Sequence, residues 1–170
     1  MGLAMSYLRV PPVLEGEPDP GRIARHIFGD AHWRRRGAAA LFDIGRAWQA
    51  MHYLCTGDPW EGRQPESDIV CGGRLLTEDG ADELGMDVIY LAPDRVKPAA
   101  DHLVATPFTE LAGRYDPAAM SEAGVQDADR LDAAARDRVL EPAYRGLTQF
   151  FQAAATEGQA VYKVMAAAAG

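Results

Sequence analysis

Proline placement constrains this chain more than any other feature, because proline cannot donate to a strand ladder or sit inside a helix without losing a backbone hydrogen bond. Most of the 11 prolines act as punctuation. Pro11-Pro12 ends a first strand over Leu3–Val10. Asp19-Pro20, Thr106-Pro107 and Asp116-Pro117 repeat one device: a residue able to cap a helix, then proline at the first helical position. Each predicts a short helix, the first with Ile23 and Ile27 on its apolar side and Gly29 as its stop. Pro93 opens a further helix to about His102, which Pro98 should kink or delay, since an interior proline costs ~3 kcal/mol. Pro142 divides a helical pattern over Asp129–Glu157, with Leu131, Ala135, Leu147, Phe150, Phe151 and Ala154 facing inward.

Between these marks the best-defined helix runs from Asp43, as its cap, to Gly57; Ile44, Ala47, Trp48, Met51 and Cys55 recur on one face. Val88–Leu91 is apolar throughout, which suits a strand covered on both faces and places it centrally. Ala160–Met165 reads as the last strand, leaving Ala166–Gly170 to fray. Glu15–Pro20 and Asp58–Gln64 are loops, Glu78–Glu83 is an acidic link, and Ser67–Leu76 has no assigned type. Helices come in runs, and strands fall near 3–10, 87–92 and 160–166, so the pattern is not a repeating βαβ unit. It fits an α+β fold, a small and mostly antiparallel sheet packed by several helices, in a single domain over 1–170.

A formal charge of −8 and a pI near 4.9 argue against nucleic acid as a partner, because a phosphate backbone calls for unbalanced Lys and Arg. The one basic cluster, Arg34-Arg35-Arg36 beside His32 and Trp33, reads as a solvated turn, with a phosphate or acidic partner as the alternative. Cys55 and Cys71 are too few for a disulfide framework and fit a reducing compartment. No apolar run approaches a membrane span and no signal peptide opens the chain, so a cytoplasmic address and no membrane partner are expected. Gly2 fits the loose myristoylation pattern, but acylation would pull the Leu3–Val10 strand from its sheet. Arginine far exceeds lysine and alanine is abundant, which suggests a high-GC bacterial gene. On base rates a monomer or a homodimer is expected.

His52 is the side chain best placed for chemistry. It lies ~70° from the centre of the apolar face, flanked by Trp48 and Thr56 a turn away. A general acid or base belongs on such a boundary, and so does a structural histidine that bonds a loop carbonyl. Asp43 is no partner for it if the helix is continuous, since nine residues at ~1.5 Å each put them ~13 Å apart. Cys55 is three residues from His52, but it occupies the buried face and a nucleophile needs access. The histidines and cysteines show no metal-ligand spacing, so no metal is expected, and no cofactor. Gly72-Gly73 with Arg74 reads as a turn or bulge more readily than as a phosphate cradle. No G-x-S-x-G elbow is present. Trp60, in a loop among glycines and prolines, is either a recognition anchor or a lid on the core.

The run Phe42-Asp43-Ile44-Gly45-Arg46-Ala47-Trp48-Gln49-Ala50-Met51-His52-Tyr53-Leu54-Cys55-Thr56-Gly57 resembles the YfbM-like family of small bacterial proteins, which carry a domain of unknown function. Asp43, Ala47, Trp48, His52, Leu54, Thr56 and Gly57 match its motif. Weaker matches extend over nearly the whole chain: Met1-Gly2 with Tyr7, Gly72-Gly73, Leu91-x-Pro93-x-x-Val96, Arg114-x-Asp116-Pro117 and Phe150-Phe151-x-Ala153-Ala154. Two departures stand out. Arg46 replaces the usual lysine, and the Tyr-Pro pair with a nearby Trp gives way to Gly124-Val125-Gln126-Asp127-Ala128-Asp129. The resemblance implies an α+β fold and a bacterial cytoplasmic setting, and supplies no activity.

Two readings follow. In the favoured one, the chain binds a basic protein or a small molecule at Trp48, His52, Thr56 and Trp60. In the other it is an enzyme acting on a small molecule with His52 as acid or base, and Asp116, Arg114 or another distant residue brought beside it.

Overall fold

The chain's first and last strands form the middle of its sheet. β1 (Leu3–Val10) and β5 (Ala160–Ala167) run antiparallel along their whole lengths, with Leu3 opposite Ala167 and Val10 opposite Ala160. β2 (Leu41–Gly45) extends the sheet beyond β1, while β4 (Asp87–Leu91) and the two-residue β3 (Arg74–Leu75) extend it beyond β5. The strand order is β2-β1-β5-β4-β3, antiparallel throughout. This computed structural model describes residues 2–29, 33, 40–77 and 84–168. Arg34–Arg36, His32 and the Glu78–Glu83 link lie outside them.

Both faces of the sheet are covered. Side chains alternate along β5, so Ala160, Tyr162 and Val164 share one face and Val161, Lys163 and Met165 the other. On the second face Met5, Tyr7, Leu91 and Val161 join a core closed by α2 (Trp48–Thr56), α3 (Pro93–Ala105) and α6 (Glu141–Thr156), which contribute Leu54, Val96, Leu147 and Phe151. On the first face Leu8, Val88 and Tyr162 pack under α1 (Pro20–Phe28) and Trp33. The short helices α4 (Phe108–Ala112) and α5 (Pro117–Glu122) follow α3. The α+β class and the strands expected near 3–10, 87–92 and 160–166 are present.

Several local expectations are corrected. The helix does not start at Asp43: Leu41–Gly45 is an edge strand, with Ser6 opposite Asp43 and Tyr7 opposite Phe42, and α2 starts at Trp48. Asp43 Oδ1 accepts from the Gly45 N–H at 2.8 Å, and Gly45 adopts φ +61, which ends the strand before the helix begins. The centre of the sheet is β5, not β4, whose outer neighbour is only β3. α3 does not begin later than Pro93; it runs from Pro93 to Ala105 with Pro98 inside. Thr106 closes α3 and Pro107 itself takes the cap position of α4. β5 continues to Ala167 where fraying was expected. Asp19 and Asp116 cap α1 and α5 as expected, accepting from Gly21 N and Ala119 N. Pro142 lies in the first turn of α6, after a π turn over Arg136–Leu140.

Candidate functional site

α2 is buried on more than one side. Trp48, Met51, Leu54 and Cys55 face the core, but Gln49 and His52 are buried too, because the chain folds back over that side after the helix ends. Gly57 makes the reversal: at φ +83 its N–H bonds Tyr53 O at 2.7 Å, closing the helix in the left-handed conformation that glycine adopts without strain. A loop over 58–65, a 3-10 turn at Glu66–Ile69 and the Gly72-Gly73 pair then lead to β3.

His52 holds this returning segment at two points. Its Nε2 is 3.0 Å from Glu61 O, and its Nδ1 accepts a long bond of 3.4 Å from the Cys71 N–H. A carbonyl at one nitrogen and an N–H at the other fix the tautomer: the proton is on Nε2 and Nδ1 offers its lone pair. Burial lowers the imidazole below its ordinary value and Lys163 lowers it further, against the bond to Glu61 O. The ring is fully buried.

The neighbouring candidates fix the same loop. Thr56 Oγ1 donates within its own turn to His52 O and also meets Asp58 O at 3.0 Å, while accepting from the Asp58 N–H. Gly62 packs so tightly on Thr56 that a side chain there would collide with its methyl group. Gln49 Nε2 donates to Pro59 O at 3.3 Å. Asp58 Oδ1 accepts from the N–H groups of Trp60 and Glu61 at 2.9 and 2.8 Å, and those two bonds hold its carboxyl below the usual range. Trp60 therefore projects from a loop tied at residues 58, 59 and 61. The residue is 56% exposed, and its ring centre lies 5.4 Å from that of Trp48. Trp48 itself is buried and donates from Nε1 to Leu3 O.

A second set of polar groups, absent from the sequence reading, anchors the rest of the segment. Lys163 Nζ is fully buried and donates to Asp68 O and Gly72 O, each at 2.6 Å. Burial pushes its amine down to about 7, opposed by Asp68 and Cys71. The Asp68 carboxylate is taken by Arg95, with Nε 2.9 Å from Oδ2, and Tyr7 donates from its hydroxyl to Ile69 O at 2.8 Å. Gly72 donates to Ser67 O, and a Cβ there would strike the Asp68 carboxylate. The Gly72-Gly73 pair is thus a tight turn over β5. A partial signal was available: alternation puts Lys163 on the same strand face as the apolar Val161 and Met165, and the helices over that face bury it.

Beside the loop is an open cleft of about 450 Å³ lined by Cys55, Thr56, Asp58, Glu61, Gly62, Arg63, Glu66 and Arg114. His52 does not line it. Arg114 donates from Nη1 to Leu54 O at 2.7 Å and Asp116 caps α5, so both of the distant partners considered for His52 are engaged elsewhere. Burial pushes the Cys55 and Cys71 thiols up to about 12, and both are free. Among the described residues no three His, Cys, Asp or Glu side chains converge as a metal site, and no helix is long and apolar enough to cross a membrane.

A family model described as "Domain of unknown function (DUF1877)" matches residues 1–163. No curated protein matches the chain. Among solved structures, "The Crystal Structure of a Protein of Unknown Function YfbM from Escherichia coli" aligns with a TM-score of 0.66 at 13% identity, covering 95% of this chain and 99% of that one. At that identity the likeness concerns the fold.

Proposed function

The chain belongs to the DUF1877 family, the YfbM-like family to which its 42–57 run pointed, and from that premise we propose that it is a binding protein whose recognition element is the Trp60 loop. The observation that supports this is a half-exposed indole on a loop whose backbone is tied from inside by Gln49, His52, Thr56 and Asp58. Loop order is already established before a partner arrives, which lowers the entropic cost of association. Tryptophan is enriched among residues that dominate binding energy.

The partner group that fits is a cation. Asp58 stays ionised at neutral pH and Glu61 is exposed, so two carboxylates flank Trp60 along the loop, on a chain of net charge −8. A lysine or arginine side chain over an exposed indole gains ~0.5–1 kcal/mol, and more when desolvated. A basic protein segment therefore suits the site better than a neutral small molecule. Two free thiols fit a reducing, cytoplasmic setting. The acid–base reading of His52 has less to stand on, since both ring nitrogens are bonded to backbone and the nearby cleft excludes the ring.

The test is a titration of tryptophan fluorescence with polyarginine and with polyglutamate, on the wild type and on Trp60→Ala. Saturable quenching by polyarginine alone, weakened severalfold by Trp60→Ala, is the expected result. Equal response to both polymers, or no change in the variant, would overturn the reading.

A further inference from the structure

The recognition loop is tied to α2 through an imidazole that can make its two bonds in only one protonation state. Nδ1 of His52 accepts from the Cys71 N–H while Nε2 donates to Glu61 O. A second proton must go on Nδ1, where it would point at the Cys71 N–H. Two donors then face each other and a charge is buried without an acceptor for its new hydrogen. We propose, building on the Trp60 reading, that protonation of His52 releases the 58–72 segment and so switches off recognition at Trp60 in mildly acidic conditions.

The groups around the ring support a switch of this sign. From β5 it faces the Lys163 amine, whose own two bonds go to Asp68 O and Gly72 O of the same segment. From the loop it faces Asp58, a single carboxylate already bonded to two N–H groups, and the half-buried Cys71. Its own helix adds Cys55 one turn on, with the thiol protonated. Asp68 is neutralised by Arg95, and Glu66, on the same turn, is half-buried at the edge of the cleft. α4 also packs on α2, and its one charged residue, Glu110, is exposed. An imidazolium would thus join a buried amine, with Asp58 as the one carboxylate that favours it, outweighed by burial. Burial lowers the ring below its ordinary value, so the closed segment resists the proton until it opens. Opening lets the ring take that proton at its unfolded affinity, near 6.5.

Residue-resolved amide exchange tests the switch without a partner. After correction for the intrinsic rate, protection over 61–72 is expected to fall about tenfold per pH unit below ~6.5, the signature of opening coupled to one proton. His52→Gln, which cannot titrate, should flatten that dependence. If the variant fails to fold, β1 amides in the wild type serve as the reference: local release lowers protection over 61–72 ahead of β1. A flat wild-type profile, an unaltered profile in a folded His52→Gln, or parallel loss in β1 would overturn the proposal. None of these outcomes bears on Trp60 itself. A polyarginine titration insensitive to Trp60→Ala would remove the recognition reading while leaving the switch in the exchange data.

Discussion

Replacing Lys163 by methionine should change the shape of the stability curve against pH, and the size of the change follows from the burial of one amine. The group's ordinary value is 10.5, and burial brings it to about 7 in the folded chain. Below pH 7 both folded and unfolded chains carry the proton, and this group contributes no slope. Between 7 and 10.5 the unfolded chain holds a proton that the folded chain has released, so stability rises with pH, by up to ~1.36 kcal/mol per unit. The penalty for burying the amine is therefore fully present below 7 and is relieved as pH rises towards 10.5. Over pH 7 to 9 the gain approaches ~2–3 kcal/mol. Methionine has a similar length, removes the titrating group and leaves Asp68 O and Gly72 O without their donor, an offset of ~1–3 kcal/mol for each carbonyl that does not vary over this range. Urea unfolding followed by circular dichroism at half-unit steps, with linear extrapolation, gives the two curves. Their difference cancels Tyr7 and Cys55, whose raised values act in the opposite sense at higher pH, and Cys71, which feels Lys163 directly, is excluded by keeping the comparison at or below pH 9. A difference that stays within ~0.5 kcal/mol from pH 7 to 9 would refute the reasoning that the amine is neutral in the folded chain.

Two further substitutions probe the same architecture. Gly72→Ala puts a methyl group against the Asp68 carboxylate and the Ser67 carbonyl, and should cost about 1–3 kcal/mol in urea unfolding while leaving the slope against denaturant unchanged. Phe151→Ala empties a site packed edge-on against Tyr7 and Phe150, and should cost about 3–5 kcal/mol, seen as a lower melting temperature in calorimetry.

How far the sequence revealed this fold depended on whether local pattern or distant pairing decides each element. β1, β4 and β5 were visible because their apolar runs end at proline or glycine with no competing period. β2 was hidden because Leu41, Phe42 and Ile44 merge into the helical spacing of Ala47, Trp48 and Met51, and only pairing with β1 separates them. The warning was Gly45, a residue suited to its φ of +61 between the two patterns. β3 is two residues long and is defined by its partner alone. At the site, Trp48, His52, Thr56 and Trp60 do fall together, because three of them share a helix and Gly57 turns the fourth back over it. The helical wheel placed His52 at the edge of the core. The structure buries it fully, since the wheel knows nothing of the 58–72 segment that covers that edge. Lys163 was passed over because a charged residue in an apolar strand reads as a solvent-facing position until both faces of the sheet are known to be covered.

The pairing of the first strand with the last has a consequence for synthesis. On a translating ribosome β1 is made more than 140 residues before its longest neighbour, β5. Among the described residues β2 is what pairs with one edge of β1 in the interval, and the other edge, with Leu8 and Val10 on its flank, must wait. Closure of the sheet therefore becomes possible only as residues near Ala167 leave the exit tunnel. A chain stalled or cleaved before that point lacks the middle of its sheet, not merely an end, and offers an open strand edge to chaperones or to other unfinished copies.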